Sequence, residues 1–174
     1  MTFDPVAVCR ILTEEGVDFV VVGGFASVIL GSPLPTEDID VLPDRDSSNL
    51  ERLATALRRL NARIRTNDEP VVARLDAAFL ENMPFMLNLV TDFGIVDLTF
   101  SPSGPLKGFE DWNRHASDQE IADGLVIRVA SLADIIDSKA TAGREKDLRT
   151  LPYLRSLYAT LEGERVQRPE GSDG

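Results

Sequence analysis

The chain has 174 residues, enough for one domain with a sizeable core and short for two. Hydrophobic residues make up 43% and charged residues 27%, which excludes a disordered chain. With 18 Lys+Arg against 29 Asp+Glu the formal net charge is −11, so general nucleic-acid coating is excluded and any polyanion must meet a local basic patch. The single cysteine, Cys9, allows no internal disulfide and sits among Val6, Val8 and Ile11 as a small hydrophobe. The opening MTFDPVAVCR carries no basic n-region, and no apolar run approaches a membrane span, so a cytoplasmic protein without membrane contact is expected.

Asp4-Pro5 predicts an N-cap with proline at the first helical position, followed by an imperfect stripe of Val6, Cys9, Ile11 and Leu12 up to Gly16. Residues 17–22 read as a buried strand, and Gly23-Gly24 turns it into an apolar helix that Gly31, Pro33 and Pro35 close. A short strand over 38–42 comes next. Asp46-Ser47-Ser48 can cap a helix through Leu60, with Leu50, Leu53 and Leu57 on one face and Arg52, Arg58 and Arg59 on the other. Residues 62–66 predict a short strand and 71–80 a helix. Residues 85–90 and 94–100 flank the turn Thr91-Asp92-Phe93-Gly94 as a hairpin. A loop over 101–108, a helix over 109–115 and a strand over 125–129 follow. Ser131 caps a helix reaching Lys139, and 144–161 continue helically with Leu148, Leu151, Leu154, Tyr158 and Leu161 on one side and Pro152 as a bend or break. The pattern gives an α/β chain, a mixed twisted sheet flanked by helices. Residues 1–162 form one domain and 163–174 a polar, disordered tail.

Strand alternation puts Asp38 and Asp40 on one face and Ile39 and Val41 on the other. Asp97 shares a face with Ile95 and Thr99. Each aspartate alone reads as a solvent-facing or capping residue. Together they form a cluster, and two carboxylates ~5 Å apart repel by roughly 3 kcal/mol at an effective dielectric near 20. Mg²⁺ or Mn²⁺ is the ion such oxygen donors suit, whereas His115 and Cys9, alone of their kinds, offer no zinc set. Gly23 and Gly24 read either as a plain tight turn or as a place where a phosphate approaches backbone N–H groups. The GK[ST] of a Walker A loop is missing.

The run GGFAS, then T-x-D-I-D, then a third aspartate on a later strand resembles the polymerase-β-like nucleotidyltransferase superfamily. The stretch VASLADIIDSKATAGREKDLRTLPYL resembles the C-terminal signature of its bacterial AbiEii-type, toxin-like branch, in which a helical lysine precedes an A-G-R-x-K-D run. The resemblance covers residues 17–157 and implies a nucleotidyltransferase fold with C-terminal helices. It implies that Asp38, Asp40 and Asp97 hold metal ions, and that Asp97 favours deprotonation of the acceptor. Lys139, Arg144 and Lys146 become candidate contacts to the NTP. Lys139 and Lys146 share one face if their helix is unbroken; the bland reading of 144–147 is a solvated salt-bridge mixture. Many members carry Gly-Ser where this chain has Gly23-Gly24, which leaves a hydroxyl contact to Ser27. The expected reaction moves a nucleoside monophosphate from an NTP to a hydroxyl acceptor: tRNA or protein for a toxin with a cognate antitoxin, or a small molecule of the aminoglycoside or lincosamide kind. A tRNA acceptor would need Arg52, Arg58 and Arg59 as its basic patch, whereas the net charge suits a small cation. A catalytically inactive relative that binds a nucleotide or a partner is the third reading.

Overall fold

The computed structural model describes residues 2–167. Asp4 caps helix α1 (Pro5–Glu14) as the sequence predicts, its carboxylate accepting from the Ala7 N–H at 2.9 Å. The chain then turns at Gly16 into β1 (Phe19–Val22), all four of whose residues are buried. Next come α2 (Gly23–Ile29), β2 (Asp38–Pro43), α3 (Ser47–Arg59), β3 (Arg63–Ile64) and α4 (Ala77–Glu81). The hairpin β4 (Met86–Thr91) and β5 (Gly94–Thr99) forms where expected. Helix α5 (Gly108–His115) leads to a second hairpin, β6 (Ser117–Ala122) with β7 (Leu125–Val129), and then to α6 (Leu132–Ala142) and α7 (Glu145–Gln167).

All strands join one mixed sheet in the order β3-β4-β5-β2-β1-β7-β6, flanked by helices as the composition pattern predicts. β1 runs antiparallel to β2 and parallel to β7, and β2 runs parallel to β5. The register gives the two sheet faces different characters. Val21, Val41 and Leu98 stand in one row, Ile39 and Val96 in another on the same face, and all five are buried in a core shared with Leu50, Leu53 and Leu57 of α3. On the opposite face, Val22, Asp40, Asp97 and Asn88 stand in a row across β1, β2, β5 and β4.

Asn49 fixes the ends of the two central strands. Its fully buried amide accepts from the Asp18 N–H at 2.8 Å and donates to the carbonyls of Asp18 (3.0 Å) and Asp44 (2.8 Å). One side chain thus ties the start of β1 to the end of β2 and to the first turn of α3, which holds the register that aligns the acidic row.

The structure departs from the sequence pattern in five places. Residues 71–76 are extended rather than helical: Val71 bridges Ile64, and only from the Asp76 cap does α4 begin. β-branched Val71 and Val72 favour the extended form, and both are exposed, so no apolar stripe rewards a helix there. Strand β6, SDQEIA, has a mainly polar sequence because it is a sheet edge, with only Ile121 and Ala122 packed against the core. The C-terminal helix is broken by Gly143 at φ +62, so Lys139 and Lys146 lie on two helices instead of sharing one face. Helix α7 runs unbroken past Pro152, burying Leu151 and Leu154 while Leu148 and Tyr158 are exposed. Finally, α7 continues to Gln167, beyond residue 162; residues 168–174 of the expected tail lie outside the described residues. Among the described residues no helix is long and apolar enough to cross a membrane.

Asn49→Ala removes three hydrogen bonds, leaving the Asp18 N–H and the Asp44 carbonyl without their partner while the Asp18 carbonyl keeps the Asp44 N–H. Urea unfolding is expected to show a loss of about 2–3 kcal/mol with an unchanged m-value; a loss below about 0.5 kcal/mol contradicts the strand-tying role.

Candidate active site

The acidic row sits where β1 hands over to α2. Because Val22 pairs with Asp40, the next residue, Gly23, turns directly over the Asp40 carboxylate. Gly23 has φ +70, and a Cβ built there would stand 2.2 Å from Asp40 Oδ2, so conformation and space both demand glycine. At Gly24 a Cβ would lie 3.2 Å from Thr36 Oγ1, a tight fit. The Thr36 hydroxyl donates to the Asp38 carbonyl at 3.1 Å, which steadies the entry to β2. Ser27 is buried and donates its hydroxyl to the Gly23 carbonyl at 3.2 Å. Its proton therefore supports the glycine turn rather than pointing to a ligand.

Asp38 and Asp40 project from β2 to the same side, partly buried, with Ile39 buried between them. Asp97 projects beside Asp40 from β5, and its Oδ1 is buried with no hydrogen-bond partner. Burial first, then the charges of Asp38 and Asp97, push the Asp40 carboxyl up to about 7 against the pull of Lys139 and Lys146. Burial and then the charge of Asp38 raise Asp97 to about 6, opposed by Arg65, Lys146 and Arg144. The cluster is short of positive charge.

These carboxylates open into a cavity of about 630 Å³ between the sheet and helices α2, α5, α6 and α7. All nine candidates, Gly23, Gly24, Ser27, Asp38, Asp40, Asp97, Lys139, Arg144 and Lys146, line it. The break at Gly143 brings Lys139, from the end of α6, and Arg144 and Lys146, from the start of α7, to the same wall. Sequence reasoning missed Asp147, which is fully buried and receives Arg144 Nε at 2.7 Å and Lys139 Nζ at 3.3 Å. Burial alone would raise its carboxyl, but these two cations hold it below the usual range. A signal was present: Asp147 precedes Leu151 and Leu154 by four and seven positions, on the buried face of α7. Trp112 was also missed; it lines the cavity, and its Nε1 is buried without a partner.

The α3 arginines play no part in this site. Arg59 pairs with Glu14 and Glu15, Arg52 with Asp18 and the Gly16 carbonyl, and Arg58 with Thr55. None lines the cavity, because α3 packs on the other face of the sheet; of the expected tRNA patch, Arg52 and Arg59 are ion-paired and Arg58 meets only the Thr55 hydroxyl.

Among the described residues, no three acidic, His or Cys side chains close into a ready-made metal cage. The donor chemistry nevertheless suits a hard divalent cation. Asp97 Oδ1 lacks a partner, Asp40 is hard to ionise, and Mg²⁺ takes one or two carboxylates while waters and substrate phosphates complete its shell.

No family model matches the chain, and no curated protein matches it in sequence. Solved structures do match in fold. A candidate nucleotidyltransferase from Thermotoga maritima has TM-score 0.54 and 18% identity over 85% of this chain and 88% of its own. The lincosamide antibiotic adenylyltransferase LnuA, solved with lincomycin bound, has TM-score 0.56 and 15% identity over 90% of this chain and 99% of its own. ANT(2″)-Ia, solved with adenylyl-2″-tobramycin, has TM-score 0.55 and 14% identity over 92% of this chain and 88% of its own. The chain has the nucleotidyltransferase fold that its motifs led us to expect.

Without metal, the raised Asp40 and Asp97 carboxyls retain protons that the unfolded chain loses above about pH 4. Stability is therefore expected to fall as pH rises from about 4 to about 7 and to level off above that. Asp40→Asn removes Asp40's share of this cost and leaves that of Asp97, so in EDTA at pH 8 it is expected to be about 1–4 kcal/mol more stable than wild type, with the gap closing near pH 4. Thermal melts across pH test this; an Asn variant less stable than wild type at pH 8 returns Asp40 to an ordinary structural role.

Proposed function

We propose that this chain is a metal-dependent nucleotidyltransferase, which moves a nucleoside monophosphate from an NTP to a hydroxyl acceptor and releases pyrophosphate. One observation carries the reading: Asp38, Asp40 and Asp97 face Lys139, Arg144 and Lys146 across a single cavity. The acceptor oxygen forms a bond to the α-phosphorus, the bond from that phosphorus to the bridging oxygen of the β-phosphate breaks, and pyrophosphate leaves. Asp38, Asp40 and Asp97 would hold Mg²⁺ or Mn²⁺, which supplies neutralisation of the charge that builds on the phosphoryl oxygens. Lys139, Arg144 and Lys146 bind and orient the triphosphate, and Gly23 and Gly24 bring the start of α2 close enough to pack on Asp40 and Thr36, which puts the backbone turn at the cavity wall. Asp97, on the strand edging the cavity, favours loss of the acceptor's proton.

For the acceptor, a small hydroxylated molecule is the better-supported reading. LnuA and ANT(2″)-Ia share the fold and were solved with lincomycin and adenylyl-tobramycin. Two of the three α3 arginines that tRNA would need are already ion-paired, and none of the three lines the cavity. The net charge of −11 does not reach the cavity wall, whose charged lining is three carboxylates against three cations. Two of those cations, Lys139 and Arg144, are already paired with Asp147, so the cavity keeps a negative balance and admits a neutral or a cationic acceptor. The AbiEii-type, toxin-like reading rests on the SKATAGREKD run alone.

The test is incubation with each α-labelled NTP and Mg²⁺, presented separately with lincosamides, aminoglycosides, tRNA and the protein itself. Label transfer with pyrophosphate release, abolished by EDTA, is the expected outcome, with small-molecule acceptors labelled first. Labelled tRNA or protein supports the toxin reading instead. Nucleotide binding with no transfer to any acceptor makes the chain an inactive relative. Lys139→Ala is expected to raise KM for NTP about tenfold or more, and Lys139→Arg to recover part of that; an unchanged KM removes Lys139 from the triphosphate site.

A further inference from the structure

Asp147 is the one fully buried acid among the described residues, and the transfer reaction leaves it without a task. It does not touch the reacting region directly; its carboxylate is occupied by its own neighbours. Arg144 donates through Nε to Oδ2 at 2.7 Å and through Nη2 to Oδ1 at 3.3 Å, and Lys139 Nζ reaches Oδ1 at 3.3 Å. Those two cations come from different helices, on either side of the left-handed Gly143 turn. Both line the cavity that holds Asp38, Asp40 and Asp97. Even so, among the described residues neither makes an ion pair with any of those three aspartates.

That separation needs a cause. A lysine on a flexible four-carbon stem and an arginine beside a cluster of three acids have every Coulombic reason to fold onto the cluster. Such a collapse would neutralise the carboxylates and leave no positive wall. Asp147 prevents it by offering a closer and better-aligned anion, whose two oxygens take three charge-assisted hydrogen bonds from the two cations. It also joins the end of α6 to the first turn of α7, so both cations are presented from one anchored point. The side chain of Lys139 is 16% exposed, which leaves its ammonium accessible from the cavity while it is held.

We infer that Asp147 is a positioning residue: it holds Lys139 and Arg144 away from Asp38, Asp40 and Asp97, so that the anion-binding wall and the metal-binding carboxylates stay separate and preformed. This rests on the nucleotidyl-transfer reading above. The role differs from that of a simple structural ion pair, because it predicts effects on two ligands at once. Without Asp147 the cations are no longer aimed at a polyphosphate, and they compete with a metal for the aspartates.

Calorimetric titration of the whole protein with Mn²⁺ alone, and with the magnesium complex of an ATP analogue carrying an α,β-methylene bridge, tests this alongside melting temperature. Asp147→Asn is expected to weaken the analogue about tenfold or more and Mn²⁺ about threefold or more. Asp147→Glu keeps the charge but shifts the anchor by one methylene; it is expected to melt near wild type and to lose less of both affinities than the asparagine variant. Should the asparagine variant fail to fold, the glutamate variant decides alone, and wild-type affinities in it overturn the inference. Loss of analogue binding with Mn²⁺ affinity unchanged overturns the spacing role. If wild type itself binds no analogue, the nucleotide reading fails and takes this inference with it; if wild type binds and the folded variants bind equally well, only the inference fails.

Discussion

The structure turns on a repulsion that the backbone enforces. Asp40 and Asp97 are register partners on adjacent parallel strands, at the interstrand spacing of about 4.8 Å, and Asp38 stands two residues before Asp40 on the same face. Side-chain rotation can spread the carboxylates only within the face they share, because β2 and β5 are locked by the fully buried Ile39, Val41 and Leu98 behind them and by Asn49 at the end of β2. The hydrophobic face of the sheet therefore holds in place what the polar face resists. Such strain concentrates where a ligand is to relieve it.

The compensating charge is carried by a different part of the chain. α6 and α7 bring Lys139, Arg144 and Lys146 to the cavity, and the turn at Gly143 aims them from two helices at once. A sheet that concentrates negative charge and a helical pair that concentrates positive charge form a site polarised along its length. A triphosphate with its divalent cation would match that pattern, the metal meeting the acids and the phosphate oxygens the bases, as proposed above. The overall acidity of the chain has little bearing on this, since Arg52 and Arg59 are spent on neighbouring acids outside the cavity.

Parity made the acidic face legible in the sequence: D-I-D in a strand admits one arrangement, and a third aspartate between Ile95 and Thr99 obeys the same rule. The Asp4-Pro5 start, the hairpin around Thr91–Gly94 and the Ser131 cap were readable because each is fixed by local chemistry. What could not be read depends on distant partners. Residues 71–76 look helical until Ile64 offers Val71 a bridge, and β6 has no apolar signal because its identity comes from pairing with β7. The Gly143 break was misjudged because a helical glycine and a left-handed one look alike in sequence. Asp147 was passed over as part of a mixed charge run, when its spacing to Leu151 and Leu154 already placed it on the buried side.

The most direct test of the polarised, charge-starved site is a count of protons on ligand binding. Calorimetry in buffers of differing ionisation enthalpy, with the α,β-methylene ATP analogue added as its preformed magnesium complex, gives that count at pH 6.5 and at pH 9. Asp40 at about 7 and Asp97 at about 6 must surrender protons before they can coordinate a metal, so about one proton is expected to leave at pH 6.5 and none at pH 9. Tight binding at pH 6.5 with no proton released would mean that the three aspartates are not what the metal and nucleotide engage.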